Sequence, residues 1–173
     1  MFTVEGAKAA AKSLIEGSYI GLGTGTTLGA TTEVPMGTST NYERVKCHWS
    51  TNTSNTDTEA NIQLDTSYGT GGVSEGVDPV TGLPYIIVQL RNYNTFMFND
   101  ADNPAASQGD IVWGVITVIY LFSGASVSGS DKLYEGQLTS GGQTTSITVH
   151  QGDRPRFSAD NNAFTIQLKF QQV

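Results

Sequence analysis

The stretch 111–122, IVWGVITVIYLF, constrains the fold more than any other part of the chain. It holds no charged residue, no proline and a single glycine, Gly114. In extended backbone, side chains alternate between faces. One set is Ile111, Trp113, Val115, Thr117, Ile119 and Leu121; the other is Val112, Gly114, Ile116, Val118, Tyr120 and Phe122. Both sets are largely apolar, the pattern of a strand covered on two sides. β-Branched and aromatic residues dominate and favour strand over helix. A helix crossing a bilayer needs about 20 apolar residues, so this run is too short for one. The expectation is the central strand of a packed β domain. Such a strand would span roughly 40 Å, longer than most, so a bend or bulge is expected at Gly114.

The other segments agree with a β domain. Thr3 is placed to cap a helix over residues 4–16, with Gly17 just beyond its end. Val4, Ala7, Ala11, Leu14 and Ile15 share one stripe of that helix. A helix this short needs support, either from the domain's edge or from a partner, and the second option makes residues 1–17 a docking segment. Strands are expected at 19–22, 43–50, 60–64, 85–91, 95–98, 132–139, 146–150 and 163–170. In 43–50, Val45, Cys47 and Trp49 alternate with Arg44, Lys46 and His48. Residues 65–84 are expected as a long loop, and loops of that length often carry function. The resulting fold class is all-β: a single antiparallel β-sandwich or jelly-roll-like domain over 18–173 with a short N-terminal helix.

Charge removes some function classes. Charged residues make up 14% of the chain, against about 25% in ordinary soluble proteins. The formal net charge is −7. No Lys/Arg cluster is present to displace counterions, so a nucleic-acid partner is rejected and an anionic membrane surface is disfavoured. The lone Cys47 cannot form an internal disulfide. Residues 1–17 lack the continuous apolar core of a secretory signal, so synthesis in a cytoplasm is expected.

Candidate chemistry is sparse. Gly72-Val73-Ser74-Glu75-Gly76 matches G-x-S-x-G, but the strand-turn-helix context of a nucleophile elbow is not foreseen there. Gly21-Leu22-Gly23-Thr24-Gly25 fails the dinucleotide spacing because Thr26 stands where the third glycine belongs; these glycines are read as serving a turn. His48 and Cys47 are strand neighbours facing opposite sides and cannot chelate together. His150 lies near Asp153, and both histidines are read as solvent-facing. Asp100, Asp102 and Asn103 miss the EF-hand pattern and read as a solvated acidic loop. No cofactor, metal or catalytic residue is expected. Tyr68, Tyr85 and Tyr93 are candidate contact aromatics for a glycan or a protein.

Several segments together resemble a family of small tailed-bacteriophage virion structural proteins, of tail-fibre-like or decoration-like β-sandwich type. They are Tyr19 to Leu22, Glu33-Val34, Tyr42-Glu43-Arg44-Val45, Thr53-Ser54-Asn55-Thr56 and Asn61-Ile62. Trp113-Gly114-Val115-Ile116-Thr117 and Ile119-Tyr120-Leu121-Phe122 resemble that family's central strand. Leu133-Tyr134-Glu135-Gly136-Gln137-Leu138-Thr139 is similar to its "aromatic, x, Gly, x, Leu, Thr" strand. Gln151-Gly152-Asp153, Phe157 and Phe164-Thr165-Ile166-Gln167-Leu168 resemble its closing unit. The match runs in order through most of 19–170 and departs at 65–108, which reads as an insertion.

The resemblance implies a non-enzymatic virion protein, made in the host cytoplasm, of tail-fibre or receptor-binding type. It implies homo-oligomers and other virion proteins as partners, with a host surface receptor or glycan beyond them. The alternative within the class is a capsid decoration (cement) protein bridging capsid subunits. The alternative outside it is a carbohydrate-binding module using Tyr68, Tyr85 or Tyr93. The expected partner contacts are Val4, Ala7, Ala11 and Leu14 on the helix and the three tyrosines in and beside the inserted loops.

Overall fold

A computed structural model describes residues 3–49, 57–140, 143–159 and 164–171. Most of the polar stretch 51–59, including Thr53-Ser54-Asn55-Thr56, lies outside the described residues.

The chain opens with helix α1 (Val4–Ile15), started by Thr3, whose side chain accepts from the Gly6 N–H at 3.1 Å. Gly17 stops it in left-handed backbone at φ 77°. Then follow β1 (Tyr19–Thr24), β2 (Thr32–Glu33), β3 (Val45–Trp49), β4 (Glu59–Leu64), β5 (Val73–Val77), β6 (Pro84–Asn92) and β7 (Phe96–Met97). The second half adds β8 (Ile111–Ile116), β9 (Val118–Phe122), β10 (Lys132–Gln137), β11 (Thr139–Ser140), β12 (Gln143–Thr144), β13 (Ile147–His150), β14 (Arg156–Phe157) and β15 (Thr165–Gln171). The all-β class with one short N-terminal helix is as expected.

One curled sheet dominates, in the order β10-β9-β1-β3-β4-β6-β15, with β2 added to β1 and β5 to β6. Its pairs are antiparallel except β3 with β4, which run parallel. Small two-stranded sheets, β8-β13, β7-β14 and β11-β12, supply the remaining pairing and give the fold its sandwich-like character. The core between these parts is aromatic. Phe96 stacks on Phe157 at 5.2 Å and meets Phe164 edge-on at 5.3 Å, while Tyr42 meets Trp113 edge-on at 5.2 Å. The Trp113 indole N–H donates to the Thr40 carbonyl at 2.7 Å, so this large ring is buried without an unpaired donor.

The apolar run 111–122 is two strands, not one. Gly114, at φ 85°, lies beside the register shift between Val149 and His150, so the expected irregularity is present. The break falls at Thr117, where the chain passes from the β8-β13 sheet into the main sheet. Thr117 donates its N–H to Gly23 and accepts from Leu138 N–H, which holds the corner. Only β9 fulfils the expectation of cover on both faces, with all its residues buried. In β8, Ile111 and Val115 are exposed because the second sheet has only two strands and leaves one face open. Nor is β9 central: β10, next to it, is an edge.

The segment 65–108 is likewise not a peripheral insertion. It contains β6, which pairs with β4, β5 and β15 and buries Ile86, Val88 and Leu90. The expected loop 65–84 contains β5, whose short run VSEGV carries too few apolar residues to announce itself.

Candidate functional site

The two ends of the curled sheet approach each other and leave a groove between them. The Tyr134 hydroxyl of β10 lies near the backbone of Gln167 in β15. Thr139 Oγ1 lies 3.1 Å from Thr165 Oγ1. These contacts close the seam without a backbone ladder. The groove along it has a volume of about 610 Å³. Its walls are Tyr134–Gln137 of β10, Gln89 of β6, Gln167 of β15 and the turn carrying Asp65, Ser67 and Tyr68.

That turn is fixed to β6 by backbone bonds from Asp65 N to Gln89 O at 2.8 Å and from Gln89 N to Gly72 O at 2.9 Å. Asp65 is buried. Its Oδ1 accepts the Ser67 N–H at 3.1 Å and the Ser67 hydroxyl at 2.5 Å, and its Oδ2 accepts Gln89 Nε2 at 2.7 Å. Gln167 Nε2 donates onward to Gln89 Oε1 at 2.6 Å. A chain Ser67–Asp65–Gln89–Gln167 therefore runs along the groove wall. Burial alone would raise the Asp65 carboxyl, but the Ser67 and Gln89 donors, with Arg91 nearby, bring it below the ordinary carboxylate value. On the opposite wall Glu135 is held by Lys132 at 2.6 Å, the Gly29 N–H at 2.9 Å and the Thr31 hydroxyl. Those partners, Lys132 first, lower its pKa to about 2.

A second feature lies outside the groove lining. The β5-β6 hairpin ends in residues 78–83, bearing the exposed apolar side chains Val80 and Leu83 beside Val77 at the end of β5, with Val80 90% exposed. The tip is braced: Asp78 Oδ1 accepts the Val80 and Thr81 N–H groups, and Asp78 Oδ2 meets Lys169 Nζ at 3.1 Å. Gln171 Nε2 adds a bond to Thr81 Oγ1 at 3.0 Å.

The candidate contact residues separate under this geometry. Tyr68 lines the groove, together with Tyr134, which sequence reading did not single out. Tyr85 and Tyr93 lie at opposite ends of β6, about 26 Å apart along an extended chain, so the three tyrosines form no single platform. Lys169 sits over the Tyr85 ring and Arg91 over the Tyr93 ring. On α1, Ala7 and Ala11 are fully buried in the domain core with Ile15, and Val4 and Leu14 pack against its edge. The helix face expected to meet a partner is thus already occupied by the chain's own β3 and β6.

Other candidates resolve locally. Ser74 is mid-strand in β5 and not at a strand-to-helix turn. Gly21 and Gly23, read as turn residues, lie instead within β1 beneath the rings of Phe122 and Tyr120. His48 is not free in solvent: its Nε2 lies 2.9 Å from Glu59 and its Nδ1 3.8 Å from Glu16. His150 pairs with Asp153 at 3.2 Å. Asp102 accepts from Gln151, Asp100 lies 3.7 Å from Arg154, and Asn103 Oδ1 caps the Ala105 N–H. Among the described residues no group of His, Cys, Asp and Glu forms a metal cluster, and no helix is long and apolar enough to cross a membrane.

No family model matches the chain, and no curated protein or solved structure matches it.

Proposed function

We propose that this chain is a non-enzymatic structural component of a tailed-bacteriophage virion, of tail-fibre or receptor-binding type, acting through protein–protein assembly. The ordered resemblance of 19–170 to that class motivates the reading. The observation that carries it is the braced hairpin tip. An apolar side chain as exposed as Val80 gains by being covered, and a tip already ordered by Asp78, Lys169 and Gln171 loses little freedom when it docks. A rigid, loop-bearing β scaffold suits such contacts.

The test is the position of the chain in purified particles, read by labelled antibody in electron micrographs. Density on the tail supports the fibre reading, density on the head shell replaces it with the decoration reading, and absence from the particle overturns both. Val80→Asp sharpens the result. It is expected to leave the melting temperature unchanged and to lower incorporation, and incorporation at the normal level would remove the tip from the interface.

A further inference from the structure

We infer that the groove between β10, β15 and the Asp65–Tyr68 turn is a binding site for a neutral saccharide. This rests on the receptor-binding reading above and names the chemistry of the receptor.

The wall chemistry selects the ligand. Tyr68 and Tyr134 bring aromatic surface, while Gln89, Gln137 and Gln167 bring amides that both donate and accept. Sugars present hydroxyls that need mixed donors and acceptors at their rim and C–H faces that pack on aromatic rings. Among the described residues no Lys or Arg lines the groove, so an anionic ligand finds no cation there. The carboxylates lining it among the described residues, Asp65 and Glu135, have their oxygens engaged by donors of this chain, and their negative charge further disfavours an anionic ligand. A purely apolar ligand would strip water from the amides without replacing their hydrogen bonds. An added peptide strand would have to displace the side-chain bridge between Thr139 and Thr165 to reach the facing edges of β10 and β15. The groove, at about 610 Å³, falls within the size range of small-ligand sites.

The site is also ordered in advance. Asp65 orients the Gln89 amide, and Gln89 orients Gln167, so these side chains hold their rotamers before a ligand arrives. A weak sugar contact gains from groups that need no further ordering, and many copies on one particle would multiply it.

The test is an array of neutral and anionic glycans probed with the full-length chain displayed multivalently, at low and high salt. Binding to a family of neutral saccharides is expected, insensitive to salt. Tyr68→Ala and Gln167→Ala are expected to lower apparent affinity by about tenfold or more, while Tyr85→Ala and Tyr93→Ala, outside the groove, leave it unchanged. Thermal melts of each variant separate loss of contact from loss of fold. Absence of saccharide binding, binding confined to anionic glycans, or Tyr68→Ala and Gln167→Ala variants that melt normally and bind like the parent would overturn the site. Particle localisation reports separately. A chain found in the particle but silent on the array overturns the saccharide site alone. Groove-dependent sugar binding by a chain absent from the particle overturns the assembly reading and leaves the site standing.

Discussion

Arg44 and Glu33 form a two-bond fork in the wall of the main sheet, with Nε to Oε1 at 2.8 Å and Nη2 to Oε2 at 2.7 Å. The remaining Nη1 donates to the carbonyls of Gly124 and Ser126 and to Ser130 Oγ. The guanidinium lies 3.4 Å from the centroid of the Phe122 ring. Tyr42 joins the pair by donating its hydroxyl to Glu33 Oε1 at 3.1 Å while accepting the Leu22 N–H at 2.7 Å. A single buried cation thus ties β2, the start of β3, the end of β9 and the 124–130 turn together.

Breaking one half of this pair leaves the other charge buried and uncompensated. Glu33→Ala is expected to cost about 3–5 kcal/mol. Arg44→Lys is expected to lose most of the same amount, because an ammonium cannot reproduce the planar fork or lie flat on Phe122. Urea denaturation measures both. A loss below about 1 kcal/mol in Glu33→Ala would place the pair with exposed ion pairs and refute its role as a clamp.

This clamp also marks where the sequence was readable. Alternation correctly put Arg44 on the face opposite Val45 and Cys47, but it suggested solvent there. The cover comes from Phe122 and the 124–130 turn, some 80 residues away, and periodicity carries no information about such partners. The helix was legible nearly to the residue because its signals are local: Thr3 at one end and Gly17 at the other. What its small-residue stripe could not say is which surface it meets. The groove was least legible. Tyr68, Gln89, Tyr134 and Gln167 come from four separate segments, and polar residues at alternating strand positions look like any solvated face. Asp65 was the available signal, a carboxylate between two strands that the fold buries.

Cys47 should behave as an inert thiol. Burial is the main cause that pushes its pKa up to about 12, so almost no thiolate exists at pH 8. A disulfide-exchange reagent at pH 8 is expected to leave the native chain unlabelled while labelling the urea-unfolded chain fully. The labelling rate then reports global opening. Rapid labelling of the native chain would show that β3 opens locally.

Acid should weaken the fold through Asp78 and Glu135. The Val80 N–H, then Lys169 and the Thr81 N–H, lower the Asp78 pKa to about 2 from an ordinary 3.8. Lys132, then Thr31, lower the Glu135 pKa to about 2 from 4.5. Between those values the unfolded chain binds more protons than the native one, so stability falls as pH falls. The contribution is complete above about pH 5 and vanishes near pH 2. Melting temperatures across that window are expected to decline, and Asp78→Asn and Glu135→Gln are each expected to flatten the decline. A melting temperature that rises on acidification would contradict the sign.

Gly23 is required by a close approach, not by backbone freedom. A Cβ there would lie 2.5 Å from the Tyr120 ring and 2.7 Å from the Thr32 carbonyl oxygen. Tyr120 cannot swing aside without losing its bond to Thr31 Oγ1 at 2.6 Å. Gly23→Ala is expected to cost about 1–3 kcal/mol by overpacking. Gly29, with open space at its Cβ position but φ 87°, serves as the contrasting site, where Ala strains only the backbone and costs about 1 kcal/mol. Equal losses at the two positions in urea melts would argue against the ring-over-glycine contact.

Removing residues 1–17 would test docking cleanly only if the β domain folded without them, and the burial of α1 predicts that it does not. Ala7, Ala11 and Ile15 have no exposed surface, and they sit in the same core as Ile20, Cys47 and Leu90. Deleting the helix uncovers that core and also removes Glu16, which accepts the Trp49 N–H at 2.7 Å. The truncated chain is therefore expected to lose cooperative unfolding or to aggregate. Ala11→Leu, which keeps the helix but overfills the contact, is expected to cost about 1–3 kcal/mol. Exposed positions on the same helix provide the control, since Lys12→Ala should change stability by no more than about 0.5 kcal/mol. A truncated chain that melts like the full one would mean the helix is dispensable to the fold, and its apolar stripe would then be available to a partner.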